Sequence, residues 1–271
     1  PPRSTLFPYT TLFRSGTYIE ALSVRSPAIE ADASGQLSGE AGAMRFDGTL
    51  NDLSLVEPKL SGPAVIDTEL SWKQDGALEL KHLNARALDA QITAQGSLNT
   101  GDGRLPASGS LTLRAEDISR LAKFLQRPLQ GAVDMSVEGS GTITSLSLDG
   151  TLDVLARNLR TGIEQVDKIT EGSVDLDATL AYGDGIPFID APALDTENLT
   201  VSANAAAPGE AITIGARLSN LGLVAPGISG PASLNGPVTP PDATGETLAV
   251  APKSDGPLTV GPLVGGRILR F

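Results

Sequence analysis

A chain of 271 residues with a formal charge of −12 and an isoelectric point near 4.5 is a poor match for phosphate backbones, which are neutralised by Lys and Arg, so nucleic acid is excluded as a partner. It has no cysteine, which removes disulfide scaffolds, thiolate metal sites and thiol nucleophiles, and one histidine, His82, which leaves imidazole metal clusters and Ser-His-Asp chemistry almost nothing to work with. Hydrophobic residues make up 40% and aromatic residues 4%, which argues against a thick, ring-filled core and for a thin, extended architecture of small and branched side chains.

Residues 1–15, PPRSTLFPYTTLFRS, stand apart from the rest. They repeat TLF and hold Phe7, Tyr9 and Phe13, against a chain total of six Phe, three Tyr and one Trp. The expectation is a non-native leader from translated sequencing-adapter read-through. From residue 16 to residue 240 the dominant pattern is period-two alternation broken by Gly, Pro, Asn and Asp, the signature of strands wet on one side. RFDGTL is the first clear strand of this kind. PAVIDTELSW places Ile66, Leu70 and Trp72 opposite Asp67, Glu69 and Ser71. ALELKHL, AQITAQGSL and GSLTLRAE follow, and His82 is expected at the solvated end of the first of them.

EDISRLAKFLQRP (116–128) breaks the alternation. Ile118, Leu121, Phe124 and Leu125 fall at helical spacing, with Asp117 as an N-cap and Pro128 as a stop. Alternation resumes in GAVDMSVEGSG, where Val133, Met135 and Val137 oppose Asp134, Ser136 and Glu138, and in SLSLDGTLDV. GIEQVDKITEG (162–172) reads as a second short helix ending at Gly172. In SVDLDATLAY, Val174, Leu176, Ala178, Leu180 and Tyr182 share a face opposite Asp175, Asp177, Thr179 and Ala181. AITIGARL is a further strand, and residues 241–271 are a Pro/Gly-rich irregular or truncated end. Short turn signals such as QDG, TGDG and YGDG favour antiparallel meanders.

The paired acids, Asp175 with Asp177 and Asp67 with Glu69, lie on polar faces that alternation already explains, and nothing buries them to tune a catalytic pKa. Gly139-Ser140-Gly141 lacks the strand-to-helix elbow of a serine hydrolase. No catalytic residue, metal site or cofactor is expected, and the chain is not read as an enzyme. No run of about 18 apolar residues is present, so no transmembrane helix is predicted. A secretory signal pattern is likewise not found.

An internal repeat is visible. LNDLSLVEPKLSGPAVI from Leu50 aligns with LSNLGLVAPGISGPASL from Leu218, an offset of 168, with nine of seventeen positions identical. A looser echo pairs DGTLNDL at Asp47 with DGTLDVL at Asp149. Repeats of this kind stack on their neighbours and build one continuous face.

The stretch LSNLGLVAPGISGPASLNG at 218–236, the helix-Gly-strand unit at 117–141 and LDTENLTVSA at 194–203 together resemble the TamB family of translocation and assembly module proteins, with its AsmA-like relatives. The likeness covers residues 17–240. It implies an all-β fold of repeated antiparallel strands in a curled, groove-forming extended sheet with one or two short helices. It also implies a periplasmic protein of Gram-negative bacteria, anchored in the inner membrane by an N-terminal helix outside this fragment. Such a protein would shield phospholipid acyl chains between the two membranes, with a role in outer-membrane biogenesis. Its outer-membrane partner, reached through a C-terminal domain outside this fragment, would be a barrel of the Omp85 type. The groove would be lined by Ile66, Leu70, Trp72, Val133, Met135, Val137, Val174, Leu176 and Leu180. The alternative expectation is a β-solenoid or adhesin-type stalk whose core is filled by its own side chains and carries no lipid.

Overall fold

The computed structural model describes residues 10–13, 16–38, 40–122, 126–145, 147–183, 186–205, 212–225, 227–238, 252–253 and 259–260. The alternating segments all become strands. The first eight are β1 (Thr10–Phe13), β2 (Gly16–Arg25), β3 (Ile29–Leu37), β4 (Ala41–Leu50), β5 (Ala64–Lys73), β6 (Ala77–Ala87), β7 (Ala90–Asn99) and β8 (Pro106–Ala115). Then come β9 (Gln130–Thr142), β10 (Ser147–Arg160), β11 (Ser173–Gly183), β12 (Ile186–Thr196), β13 (Leu199–Ala205) and β14 (Ile212–Leu218). The last are β15 (Ile228–Ser229), β16 (Ala232–Val238), β17 (Pro252–Lys253) and β18 (Thr259–Val260).

Among the described residues sixteen strands form one antiparallel sheet whose spatial order follows chain order, from β1 through β14 to β16 and β17, without closing into a barrel. β15 and β18 pair separately. Most links are tight turns, which join antiparallel neighbours directly, while a parallel pair needs a long crossover. Of the stretch read as a leader, Thr10–Phe13 pairs with Gly16–Ile19, and residues 1–9, 14 and 15 lie outside the described part.

In such a meander every connection that follows an even-numbered strand emerges at the same end. The helical segments do so: Leu53–Leu55 follows β4, Ile118–Leu121 follows β8, α1 (Glu164–Ile169) follows β10, and Leu221–Leu223 follows β14. One rim of the sheet therefore carries the inserts. The 116–128 stretch opens with a 3-10 turn at Ile118–Leu121, and the Asp117 carboxylate caps it by accepting from Ser119 N at 2.8 Å. Residues 123–125, including Phe124 and Leu125, lie outside the described part. The second predicted helix is α1, followed by Gly172 at φ +84.

The repeat at offset 168 is a repeat of geometry. Asp52 accepts from Ser54 N at 3.0 Å and Gly62 N at 3.3 Å, while Asn220 Oδ1 accepts from Gly222 N at 2.9 Å and Gly230 N at 3.2 Å. Leu53 N donates to Gly62 O, and Leu221 N to Gly230 O, both at 2.8 Å. Gly62 and Gly230 sit at φ +107 and +123, a region that side chains disfavour, so glycine closes both loops.

Burial is thin. Among the described residues only Ala115, Ala156, Val174 and Ala178 are buried apolar side chains, and no large side chain is fully enclosed. Three of these lie in one register row, Ala90–Ala115–Val133–Ala156–Val174 across β7 to β11. The row of small side chains is where the sheet is most covered.

Candidate functional site

Strand alternation gives each strand an apolar side, and the register decides whether those sides coincide. They do. One row of register partners runs Val24–Ala31–Gly48–Ile66–Ala85–Ile92–Leu113 across β2 to β8. It continues Met135–Val154–Leu176–Leu194–Val201–Ala216–Leu234 from β9 to β14 and β16. Fourteen strands thus contribute one residue each, and none of the fourteen is ionisable.

The nine predicted lining residues all fall on this face. Ile66, Met135 and Leu176 belong to that row. Val133 and Val174 share the row of small residues, and Val137 pairs with Leu111 and Leu152. Trp72 pairs with Gly42 and Leu78, and its indole lies over Gly42, where a Cβ would collide with the ring. Leu70 pairs with Met44 and Leu80. Leu180 is placed on this face by register, opposite Gly150 and Ile189, and its side chain lies outside the described part.

Bulges keep the apolar residues in phase. Leu70 faces Leu80 and Glu69 faces His82, so Lys81 is the extra residue on β6. Without it Leu83, Ala85 and Ala87 would turn to water, because one residue of slip inverts a strand. A second irregularity between Ile19 and Leu22 does the same for Val24. His82 is half-buried in its bulge on the opposite face, with Nε2 2.5 Å from Asp67 Oδ1, and is not at the solvated strand end that its sequence neighbours imply.

A cavity of about 790 Å³ opens on the apolar face. Leu70, Leu78, Leu80, Leu98, Leu111, Val137 and Leu148 wall it, and Gly96, Gly109, Gly139 and Gly141 contribute to its lining. Strands five apart in a flat sheet stand about 24 Å from each other at ~4.8 Å per step, so one cavity bounded by Leu70 on β5 and Leu148 on β10 reflects a curled sheet. The curl has a crease. Gly96, Gly109, Gly139 and Gly150 form a single register row across β7 to β10. A Cβ on them would meet the carbonyl oxygen of Ser108, Gln95, Asp149 or Glu138 at 2.9, 2.8, 2.9 or 2.6 Å, respectively. Only glycine lets the backbones approach so closely. Sequence reasoning passed over this crease, although its signal is present as a Gly at an apolar-phase position in AQGSL, ASGSL, VEGSG and LDGTL.

The opposite face is polar in its own continuous row: Ser23–Asp32–Asp47–Asp67–Asn84–Thr93–Thr112–Ser136–Asp153–Asp177. Ion pairs lace it. Arg45 bridges Asp47 at 3.1 Å and Asp67 at 2.8 Å, Lys81 meets Glu69 at 2.5 Å, and Arg25 meets Asp32 at 2.6 Å. Arg114 and Arg157 converge on Asp134 at 2.8 and 2.7 Å, and their hydrogen bonds, Arg114 first, hold its carboxyl below the usual carboxylate range. Asp177 goes the other way. The hydrogen bond with the Asp153 carboxyl, then desolvation and the charges of Asp175 and Asp153, push it up.

This arrangement offers an uncharged trough and a charged exterior. Among the described residues no group of three His, Cys, Asp or Glu side chains is placed to hold a metal ion, and no helix is long and apolar enough to cross a membrane. No protein-family model, curated protein or solved structure matches the chain.

Proposed function

We propose that this chain is a segment of a periplasmic, bridge-like protein that shields phospholipid acyl chains in the curled groove as they pass between inner and outer membranes. The carrying observation is the fourteen-strand row free of ionisable side chains, which supplies an apolar path perpendicular to the strands. An acyl chain of some fifteen methylenes gains on the order of 12 kcal/mol on leaving water at ~0.8 per methylene. An unbroken trough retains that gain at every step along it, so tails can slide without a chemical reaction. A headgroup stays at the open side, in water.

The likeness to the TamB family supports the same reading and adds its context. An inner-membrane anchor would precede the segment, and a C-terminal domain meeting an Omp85-type barrel would follow it. The self-filled stalk requires large side chains buried by one another. Leu70 and Leu148 on the walls of the groove instead remain 45% and 47% exposed.

The test is lipid extraction from the purified protein followed by mass spectrometry. Phospholipid is expected to co-purify with the wild-type chain. Met135→Arg and Leu176→Glu each place an ion in the path, at a cost of several kcal/mol if it is covered by an acyl chain. Both should lose at least tenfold of the bound lipid while far-ultraviolet circular dichroism stays unchanged. Equal lipid in the wild type and both folded variants would end the proposal.

A further inference from the structure

A second cavity lies on the charged side of the sheet, against the rim that carries the helical inserts. Its volume is about 360 Å³, within the range of small-molecule sites. Three arginines line it, Arg86, Arg114 and Arg120, together with two carboxylates, Asp89 and Glu116. In a chain of net charge −12 this is a local excess of cations.

Topology brings the three together from separate elements. Arg86 on β6 and Arg114 on β8 belong to one register row through Gln91 on β7, which puts their backbones about 10 Å apart at ~4.8 Å per strand. Arg120 comes from the Ile118–Leu121 turn, and its Nη1 lies 3.8 Å from where a Cβ on Gly62 would stand. Arg114 donates its Nε–H to Asp134 at 2.8 Å, and Arg120 forms an ion pair with Asp89, Nε to Oδ2 2.8 Å. The Arg86 guanidinium, unlike its backbone, has no hydrogen bond or ion pair among the described residues. Each guanidinium carries five N–H donors, so most of this donor capacity is left over.

The backbone beneath is strained. Leu88 and Asp89 form the two-residue turn between β6 and β7 with φ +55 and +60, a turn that Asn-Gly makes at less steric cost. Both residues line the cavity, and the second orients Arg120.

We propose that this cavity binds a phosphate group, with Arg86 as the principal ligand and Arg114 and Arg120 held ready by their carboxylates. A tetrahedral anion with three or four oxygens can engage three forks from different directions, whereas a carboxylate has only two oxygens in one plane to share among them. Pro63, Val65 and Leu88 add an apolar flank for the remainder of the ligand.

The full chain is titrated calorimetrically with inorganic phosphate and with glycerol phosphate, and floated with vesicles of phosphatidylglycerol. Saturable phosphate binding is expected, weakened at least tenfold in Arg86→Gln and in Arg120→Gln. It should be unchanged in Arg25→Gln, where the arginine pairs with Asp32 on the same side of the sheet away from the cavity. Flotation that Arg86→Gln abolishes assigns the phosphate to a lipid headgroup, and phosphate binding without flotation assigns it to a free phosphate compound. Absence of saturable phosphate binding, or equal weakening by Arg86→Gln and Arg25→Gln in folded protein, overturns the proposal. Because the groove variants Met135→Arg and Leu176→Glu lie on the other face, their loss of acyl chains would leave phosphate binding intact.

Discussion

Asp177 faces Asp153 across β10 and β11, and the hydrogen bond between the two carboxyls is the first cause of the raised pKa of Asp177. A folded-state pKa above the ordinary 3.8 means that the native chain holds this proton more tightly than the unfolded chain does. Stability therefore falls as pH rises from 3.8 through the raised value, and at neutral pH the group is a net liability. Asp177→Asn should raise the thermal midpoint at pH 7 and change it little below 3.8, as scanning calorimetry at several pH values would show. Asp134 has the opposite sign. Its contribution is complete above 3.8 and is lost as pH falls through its lowered pKa. The caps are a second matter at this scale. Asn220→Ala removes the acceptor for Gly222 N and Gly230 N and should cost about 1 kcal/mol in urea unfolding. Asn220→Asp should be tolerated, since Asp52 already serves as the cap in the other copy of the repeat.

The strands depend on where their alternation slips and where it carries no side chain. Lys81 is legible as a slip, because the apolar phase set by Leu78 and Leu80 does not continue at His82 and resumes one residue later at Leu83. Each crease glycine stands at an apolar-phase position in the sequence, but alone it reads as a turn former or a weak strand residue, and the register is what joins the four. Gly150→Ala puts a Cβ 2.6 Å from Glu138 O and should destabilise by about 1–3 kcal/mol. Gly236→Ala meets nothing within 4 Å and should be neutral or gain a few tenths of a kcal/mol, because alanine loses less backbone entropy in a strand. Denaturant titration of the two variants separates close approach from glycine content as the cause.

At the scale of the molecule, each strand touches its sequence neighbours and little else, so stability is a sum of nearest-neighbour terms. The longest strands are β9 and β10, with 13 and 14 residues. Hydrogen exchange should accordingly be slowest in β8 to β11 and progressively faster towards β2 and β16, where a strand has fewer paired neighbours to hold it. A single exchange rate for the whole sheet would contradict this one-dimensional architecture. The same openness leaves large apolar side chains exposed on the groove wall, an arrangement that soluble proteins rarely keep without a ligand or partner.

By itself the sequence determined which residues lie on which side of each strand, because side-chain direction alternates with a period of two and requires no knowledge of neighbours. That the nine lining residues, from Ile66 to Leu180, share the apolar side was open to reading for that reason. Only the tertiary structure decided that the apolar sides of fourteen strands merge, that four glycines stack into a crease, and that Arg86, Arg114 and Arg120 meet at one rim. Register, curl and rim contacts are set by turn lengths, bulges and backbone approach between neighbouring strands, and a local pattern contains no term for them.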